Sequence, residues 1–489
     1  MIELLPALAV LVAVFLILHS RNSQSKTKVG VIVLGDIGRS PRMKEHCLSL
    51  AKEGFDVDYI AEKGSEIHPN LVTNKRISIH LMNPYCISLP RVLNLIVKPI
   101  FQSIVLFTMC CRHFWACSTI LMQNPPTIPV MAVVWLVSRI YNAKMVIDWH
   151  NYGYTILQLG LSSDSTLVNI AKKIERIFGR LADDNFCVTN AMSLDLNDSW
   201  HIKAYSLHDR PSVLTSLTPR QRHNLFNTLK LKYPVFGCSS RADDDSITAL
   251  SRDEDGKIRR VDGRPALIIS STSWTPDEDF SVLLAALVKY DQEWTADHPD
   301  MICAITGNGP QKSYYQSKIA ELNMSHVKIV TCWLEPEDYP KLLAASDLGV
   351  SLHFSSSGLD LPMKVVDMFA AGIPVCARNF KCLKELVIHG KNGCVFEDSD
   401  HLGRQLLQIF KKFGSKENRH LSILKSGVEH FRKLPWHYHW RHVALPVFDD
   451  EYVFQDYGSE EEDKIPHGLS DFGIPGSGLP GSGIPRNMI

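Results

Sequence analysis

Two long stretches in which apolar strand runs alternate with amphipathic helix patterns predict an α/β protein with two parallel-sheet domains. Three observations carry that fold class. Runs such as Lys28–Leu34 (KVGVIVL) and Ala266–Ser270 (ALIIS) are apolar almost throughout, as strands covered on both faces are. Each is followed by a loop and then a helical pattern. Between the two series, residues 217–264 lose periodicity, and Ser239–Arg260 is so polar and charged that it reads as an exposed, mobile insertion at the domain boundary. At 489 residues the chain also exceeds what one ordinary core holds.

The ends add appendages. Leu4–Leu18 is an apolar run that, with its flanks, reaches about 27–30 Å as a helix at the usual rise per residue, enough for a thin bilayer. Glu3 precedes it, with no basic residue, whereas Arg21, Lys26 and Lys28 follow. That pattern favours an uncleaved transmembrane anchor over residues 1–20 against a cleaved signal, with the rest of the chain cytosolic. The sequons at Asn197 and Asn323 are then expected to carry no sugar. From residue 455 an acidic run and a Gly/Pro-rich repeat offer no core-forming pattern and read as a disordered tail. Charge balances at 52 basic and 52 acidic residues, so bulk electrostatics give no case for nucleic acid. Twelve cysteines without a CxxC pair point to thiols rather than a disulfide or zinc framework.

The first series, 28–216, continues with strands at Phe55–Ala61, Ile77–Met82 and Ser118–Gln123, and a helix over Ile128–Ile140. Val92–Cys117 is long and apolar, but Lys98, Pro99 and Arg112 break it; it reads as a buried or interfacial helix rather than a second span. After the first strand comes Gly35-Asp-Ile-Gly38-Arg39-Ser-Pro-Arg42, a tight loop into a helix, but not the dinucleotide fingerprint. Arg39 and Arg42 at that helix start suit a phosphate, or are ordinary solvated arginines. Strand KMVIDW ends at Asp148 and His150, where ligands of open α/β sheets gather.

The second series, 265–430, is expected to begin a helix with Thr275 as N-cap and Glu278 closing a capping box. Asp277 and Asp279 have metal-pair spacing, yet capping accounts for them without a metal. Gly307-Asn-Gly309-Pro310 ends the strand Met301–Thr306 in a loop that a flat ligand can approach closely. The stretch that organises the rest is Ser355–Cys376. Ser356, Ser357 and Gly358 form a loop with backbone N–H groups, Pro362 opens a helix, and Gly372 closes it. A helix N-terminus attracts anions, so Lys364 suits a diphosphate and Asp367, three residues on, a ribose diol. An ordinary surface helix with an i,i+3 ion pair is the plain alternative. Residues 431–454, rich in Trp and His, read as a helix returning to the first domain.

The segments VLGDIGRSPRM, LMQNPPTIPV, VIDWHNYGY, CVTNAM, SSTSWTPDEDF, ITGNGP, WLEPEDYPKLL and SSSGLDLPMKVVDMF, spread over about residues 30–400, resemble the GT-B glycosyltransferases. Within them the resemblance is to the β-mannosyltransferases that add the first mannose to the dolichol-linked oligosaccharide. It implies two Rossmann-like domains facing across a cleft, with one N-terminal transmembrane helix, at the cytosolic face of the endoplasmic reticulum. It implies GDP-mannose as donor, dolichol-diphosphate-linked chitobiose as acceptor, no tightly bound cofactor and no required divalent metal. Other dolichol-pathway mannosyltransferases are implied partners. The implied donor site comprises Ser271, Thr272, Gly307, Gly309, Ser356, Ser357, Gly358, Lys364 and Asp367. Asp360 with Asp367 is the counterpart of a family pair of acidic residues, which implies Asp360 as a ligand of the donor's sugar hydroxyls, although the Asp360–Asp367 spacing is shorter than the family's. The implied acceptor site is Gly35, Gly38, Arg39 and Arg42. Inversion needs a base, for which Asp36 is favoured over His150 and Asp148; His150 is alternatively a mannose ligand. Lys364 stabilises the leaving diphosphate. Another GDP-sugar transferase and a non-catalytic scaffold subunit are the competing functions.

Overall fold

The computed structural model describes residues 25–87, 90–161, 165–238, 244–275 and 278–452. The expected anchor, Asp277 and the tail from residue 455 lie outside them. Among the described residues no helix is long and apolar enough to cross a membrane. The contacts divide the chain into two compact units, one holding the chain up to Val213, Phe354–Val366 and the stretch from Pro435, the other Leu214–His353 and Asp367–Leu434.

The first unit is built on a seven-stranded sheet of β1 (Ser25–Asp36), β2 (Asp56–Glu62), β3 (Ile77–Met82), β4 (Cys117–Asn124), β5 (Lys144–Trp149), β6 (Asp184–Cys187) and β7 (Tyr205–Ser206). Their order is β3-β2-β1-β4-β5-β6-β7, every pair parallel. Val29, Val31, Ile32 and Val33 of β1 are fully buried, as a strand covered on both faces requires. Gly30 has a packing reason: a Cβ there would lie 2.8 Å from the ring of Phe114, which covers the strand. The long apolar segment forms the helix Arg91–His113, with Leu106 and Cys110 in the core and Ile100, Phe101 and Ile104 exposed. At the chain's far end, helix Trp436–Val443 and the turn Leu445–Phe448 place Trp436, Trp440 and Phe448 in the same core cluster as β1 and β2.

The second unit opens with a hairpin, β8 (Ser251–Glu254) against β9 (Lys257–Arg260), and then a six-stranded sheet. Its strands are β10 (Ala266–Ser271), β11 (Met301–Thr306), β12 (Val327–Cys332), β13 (Leu348–Ser351), β14 (Val375–Arg378) and β15 (Gly393–Phe396). They run parallel in the order β12-β11-β10-β13-β14-β15. Both units thus carry the doubly wound order whose direction reverses beside the first strand.

Two expectations are corrected here. The described residues of 217–264, read from sequence as an aperiodic polar insertion, carry regular structure: helix Pro219–Lys232, opened by a Thr218–Gln221 capping box, buries Leu225, Phe226 and Leu229, and the hairpin follows. Asp255 and Gly256 at its turn have φ of 51° and 81°, the left-handed pair that a two-residue hairpin needs. Thr275 is not an N-cap either. The helix starts at Phe280, capped by Asp279, which accepts from Ser281 N.

Candidate active site

In the first unit the reversal falls between β1 and β4, so ligand chemistry is expected where β1 and its neighbours end. One residue before its end at Trp149, β5 carries Asp148, which is fully buried. Its carboxylate accepts from Arg42 Nε at 2.8 Å, Arg42 Nη2 at 2.9 Å, His46 Nε2 at 3.2 Å and His150 Nε2 at 2.7 Å. Burial alone would raise its pKa, but the Arg42 guanidinium beside it and the His150 ring hold the carboxyl well below the usual range. A carboxylate only accepts, so His150 carries a proton on Nε2, and in the neutral ring the lone pair is then on Nδ1. The same logic fixes His46: Nε2 donates to Asp148, and Nδ1 accepts from Trp440 Nε1 at 3.0 Å. The His150 side chain is 22% exposed. The result is a part-buried imidazole oriented by an ionised aspartate that is itself fixed by an arginine.

Arg42 is therefore corrected as a phosphate ligand. Its side chain is 3% exposed, and Nη1 also donates to Asp209 Oδ1 and Leu207 O, both at 2.8 Å. Arg39 differs: its side chain is 81% exposed and touches Ser65 Oγ at 3.3 Å. Asp36, favoured from sequence as the base, has a capping role instead. It accepts from Gly38 N at 2.9 Å, Ser65 N at 2.8 Å and Ser65 Oγ at 2.6 Å. Burial pushes its pKa up, but those Ser65 and Gly38 donors outweigh it and leave the carboxyl below its ordinary value. A carboxylate so occupied is a poor proton acceptor. Gly38 is needed for packing, since a Cβ would lie 2.7 Å from Glu66 O, whereas Gly35 has room for one.

The serine loop, residues 354–366, belongs with the first unit. Gly358 N donates to Ser355 Oγ at 2.8 Å and Leu359 N to Ser357 Oγ at 3.1 Å, so these N–H groups are satisfied inside the loop rather than offered to an anion. Oδ1 of Asp360 accepts from Ser355 Oγ, from Ser357 Oγ and, at 3.1 Å, from Asn151 Nδ2. That oxygen knits the loop together. Asn151 Nδ2 also lies 3.2 Å from Ser356 Oγ, Thr155 Oγ1 lies 3.2 Å from the same hydroxyl, and Thr189 Oγ1 donates to Leu359 O at 2.6 Å. These three anchors were missed in the sequence, although Asn151 sits beside His150 in a segment already singled out. Beneath them, Glu175 accepts from Gly153 N at 2.6 Å, Thr127 Oγ1 at 2.8 Å and Asn124 Nδ2 at 2.9 Å, setting the turn that presents Asn151.

The loop leads into helix Met363–Ala370. Its start falls one residue after Pro362, whose carbonyl takes the first bond, from Val365 N at 2.9 Å. Its end is a Schellman motif: Ile373 N donates to Met368 O, Gly372 N to Phe369 O, and Gly372 has a φ of 78°. Lys364 is half-buried in the first turn and Asp367 is exposed one turn later.

In the second unit β10 ends on Ser271, whose hydroxyl accepts from Tyr339 Oη at 3.0 Å. Burial raises the Tyr339 phenol, and the Asp367 carboxylate near it adds to the shift, which puts Tyr339, Ser271 and Asp367 in one neighbourhood. Thr272 Oγ1 donates to Glu278 Oε2 at 2.6 Å, and Ser273 N donates to the same oxygen at 3.0 Å. The glycines of ITGNGP serve this turn. A Cβ at Gly307 would lie 1.8 Å from Thr272 O, and one at Gly309 1.8 Å from Ser273 O. The close approach they allow is to the protein's own backbone. Among the described residues no group of three or more His, Cys, Asp or Glu side chains is arranged to hold a metal ion.

Residues 251–422 match the family model described as Glycosyl transferases group 1. Chitobiosyldiphosphodolichol beta-mannosyltransferase of Mus musculus is 44% identical over 456 residues, covering 90% of this chain and 94% of the relative. A relative from Arabidopsis thaliana, named UDP-glycosyltransferase TURAN, is 39% identical over 446 residues, covering 85% and 96%. Among solved structures, a glycosyltransferase from Rickettsia africae matches with a TM-score of 0.56 at 14% identity, over 88% of this chain and 98% of that one. The structural match supports the fold, and the sequence matches support the family. The chain is a GT-B glycosyltransferase and belongs to the chitobiosyldiphosphodolichol β-mannosyltransferase family.

Proposed function

We propose that this chain transfers mannose from GDP-mannose to O4 of the outer GlcNAc of chitobiosyl-diphosphodolichol, with inversion, at the endoplasmic reticulum membrane. The observation that carries the reading is the 44% identity with the mouse mannosyltransferase over nine-tenths of the chain, both sheets included. Inversion at the anomeric carbon is one in-line displacement, which needs a proton acceptor for the attacking hydroxyl and positive charge for the departing diphosphate. His150 supplies the first: Nδ1 takes the O4 proton as the new glycosidic bond forms, and Asp148 offsets the imidazolium charge that results. Lys364 supplies the second, its ammonium facing the β-phosphate as the bond to mannose breaks. Asp367 takes the ribose hydroxyls and Arg39 the diphosphate of the lipid acceptor.

The name of the Arabidopsis relative favours one alternative, a uridine nucleotide donor. Purified protein, a short-chain chitobiosyl diphospho-lipid and labelled donors separate the two. GDP-mannose is expected to label the lipid in a form that β-mannosidase releases, with UDP-sugars inert. Transfer from a UDP-sugar, or a label resistant to β-mannosidase, would overturn the proposal.

A further inference from the structure

The second unit contains a basic hollow lined by none of the residues assigned above to the transfer reaction. It has a volume of about 260 Å³ and is walled by Leu217, Leu250, Ile258 and Ala345. Into it come Arg222 from helix Pro219–Lys232, Arg259 and Arg260 from the end of β9, and Arg264 just before β10. Its position follows from the sheet. Arg264 lies at the amino end of β10, whereas Ser271 closes its carboxyl end, about 17 Å away at the strand rise per residue. The hollow is therefore at the amino end of β10, opposite the end that carries Ser271.

The charges there do not balance. Arg264 is matched, by a bidentate pair with Asp347 at 2.8 Å on both oxygens. Arg259 leans on Glu254 at 3.4 Å. Among the described residues Arg222 and Arg260 form no ion pair, and neither does Lys425, which approaches from helix Arg419–Arg432. Arg222 gives one donor to Ala344 O at 3.2 Å, but its Nε is buried and has no hydrogen-bond partner. A buried, unpartnered donor of a charged group is costly unless something else satisfies it. The groups also feel one another. Burial lowers the pKa of Arg222, with Arg260 and Arg264 adding to the shift and Asp347 opposing it; burial likewise lowers that of Lys425, against Asp347, with Arg260, Arg264 and Arg222 adding to the shift. Neighbouring cations held together with vacant guanidinium donors have the geometry that recognises phosphate oxygens.

We propose that this hollow binds a phosphate-bearing anion of two or more negative charges, at a site separate from donor and acceptor. Either a free polyphosphate or the phosphorylated headgroup of a membrane lipid has that chemistry, and one set of variants distinguishes them. The full chain, with wild-type Lys364 and as Lys364→Ala, is titrated with inorganic pyrophosphate by calorimetry. It is also sedimented with phosphatidylcholine vesicles with and without phosphatidylinositol 4-phosphate. The same measurements are made on Arg260→Glu, a substitution at an exposed strand end that spares the core, and on Arg222→Gln. Binding that survives Lys364→Ala and weakens about tenfold or more in both arginine variants supports the proposal. Binding of pyrophosphate then identifies a free anion, and binding to phosphoinositide vesicles alone identifies a lipid headgroup. Absence of both in the wild type, or binding that Arg260→Glu leaves intact, would refute it. So would pyrophosphate binding that Lys364→Ala abolishes.

Discussion

At the scale of single residues, the account turns on a buried carboxylate. Asp148 holds Arg42, His46 and His150 at once, and it does so only while ionised. Replacing it by Asn leaves the Arg42 charge short of a partner, and a broken buried pair of this kind costs about 3–5 kcal/mol at neutral pH. The pH dependence has a definite sign. The folded-state pKa of Asp148 is depressed below its unfolded value of about 3.9. Its stabilising contribution is thus complete above that value and is lost as pH falls through the folded one. Urea unfolding of the wild type and Asp148→Asn should differ most near pH 7, and the gap should narrow below about pH 4. A gap that widens in acid would show that Asp148 is not the ionised anchor. The sequence marked Asp148 and His150 as strand-end residues but could not show that Arg42, 106 positions away, would be consumed in orienting them. Asp36 misled for a related reason. The GDIG turn looked open from sequence, and its carboxylate is closed by Ser65, 29 residues on.

At the scale of elements, legibility followed hydrophobic pattern. Ile77–Met82 has the bounds read from sequence, and Gly372 ends its helix as a left-handed residue, a conformation open to it because it has no Cβ. The serine loop was located correctly by its composition, but its N–H groups are turned inward by Ser355 and Ser357, a choice that composition does not reveal. In 217–264 the charged residues hid a helix whose buried face is narrow, and the Asp-Gly pair that turns the hairpin lies between strands too polar to signal themselves. The glycine loop gives an element-scale test. Gly307 has a φ of 125° and no space for a Cβ beside Thr272 O. Gly307→Ala should therefore lower stability by about 2 kcal/mol or more, measured by denaturant unfolding. A neutral substitution would mean that the Thr272–Gly307 contact is not formed.

At the scale of the whole molecule, both sheets repeat one strand order, which is why two similar runs of alternating pattern announced the architecture before any motif did. Trp436, Trp440 and Phe448 complete the core of the first unit, with Trp440 donating to His46 and Trp436 Nε1 to Ser49 Oγ at 3.1 Å. A chain cut after residue 434 should fail to fold, whereas one cut after residue 455 should keep its mannosyl transfer; circular dichroism and the transfer assay check the pair. Loss of transfer in the longer form would assign the tail a role this account does not give it.

The chemical claim is tested most directly by single-turnover mannosyl transfer with His150→Gln and Asp36→Asn side by side, each checked for unchanged melting. The account predicts a fall of about 10²–10⁴ in rate for His150→Gln, as loss of a positioned base brings, and a small effect for Asp36→Asn. A near-normal rate for His150→Gln with a collapse for Asp36→Asn would contradict it.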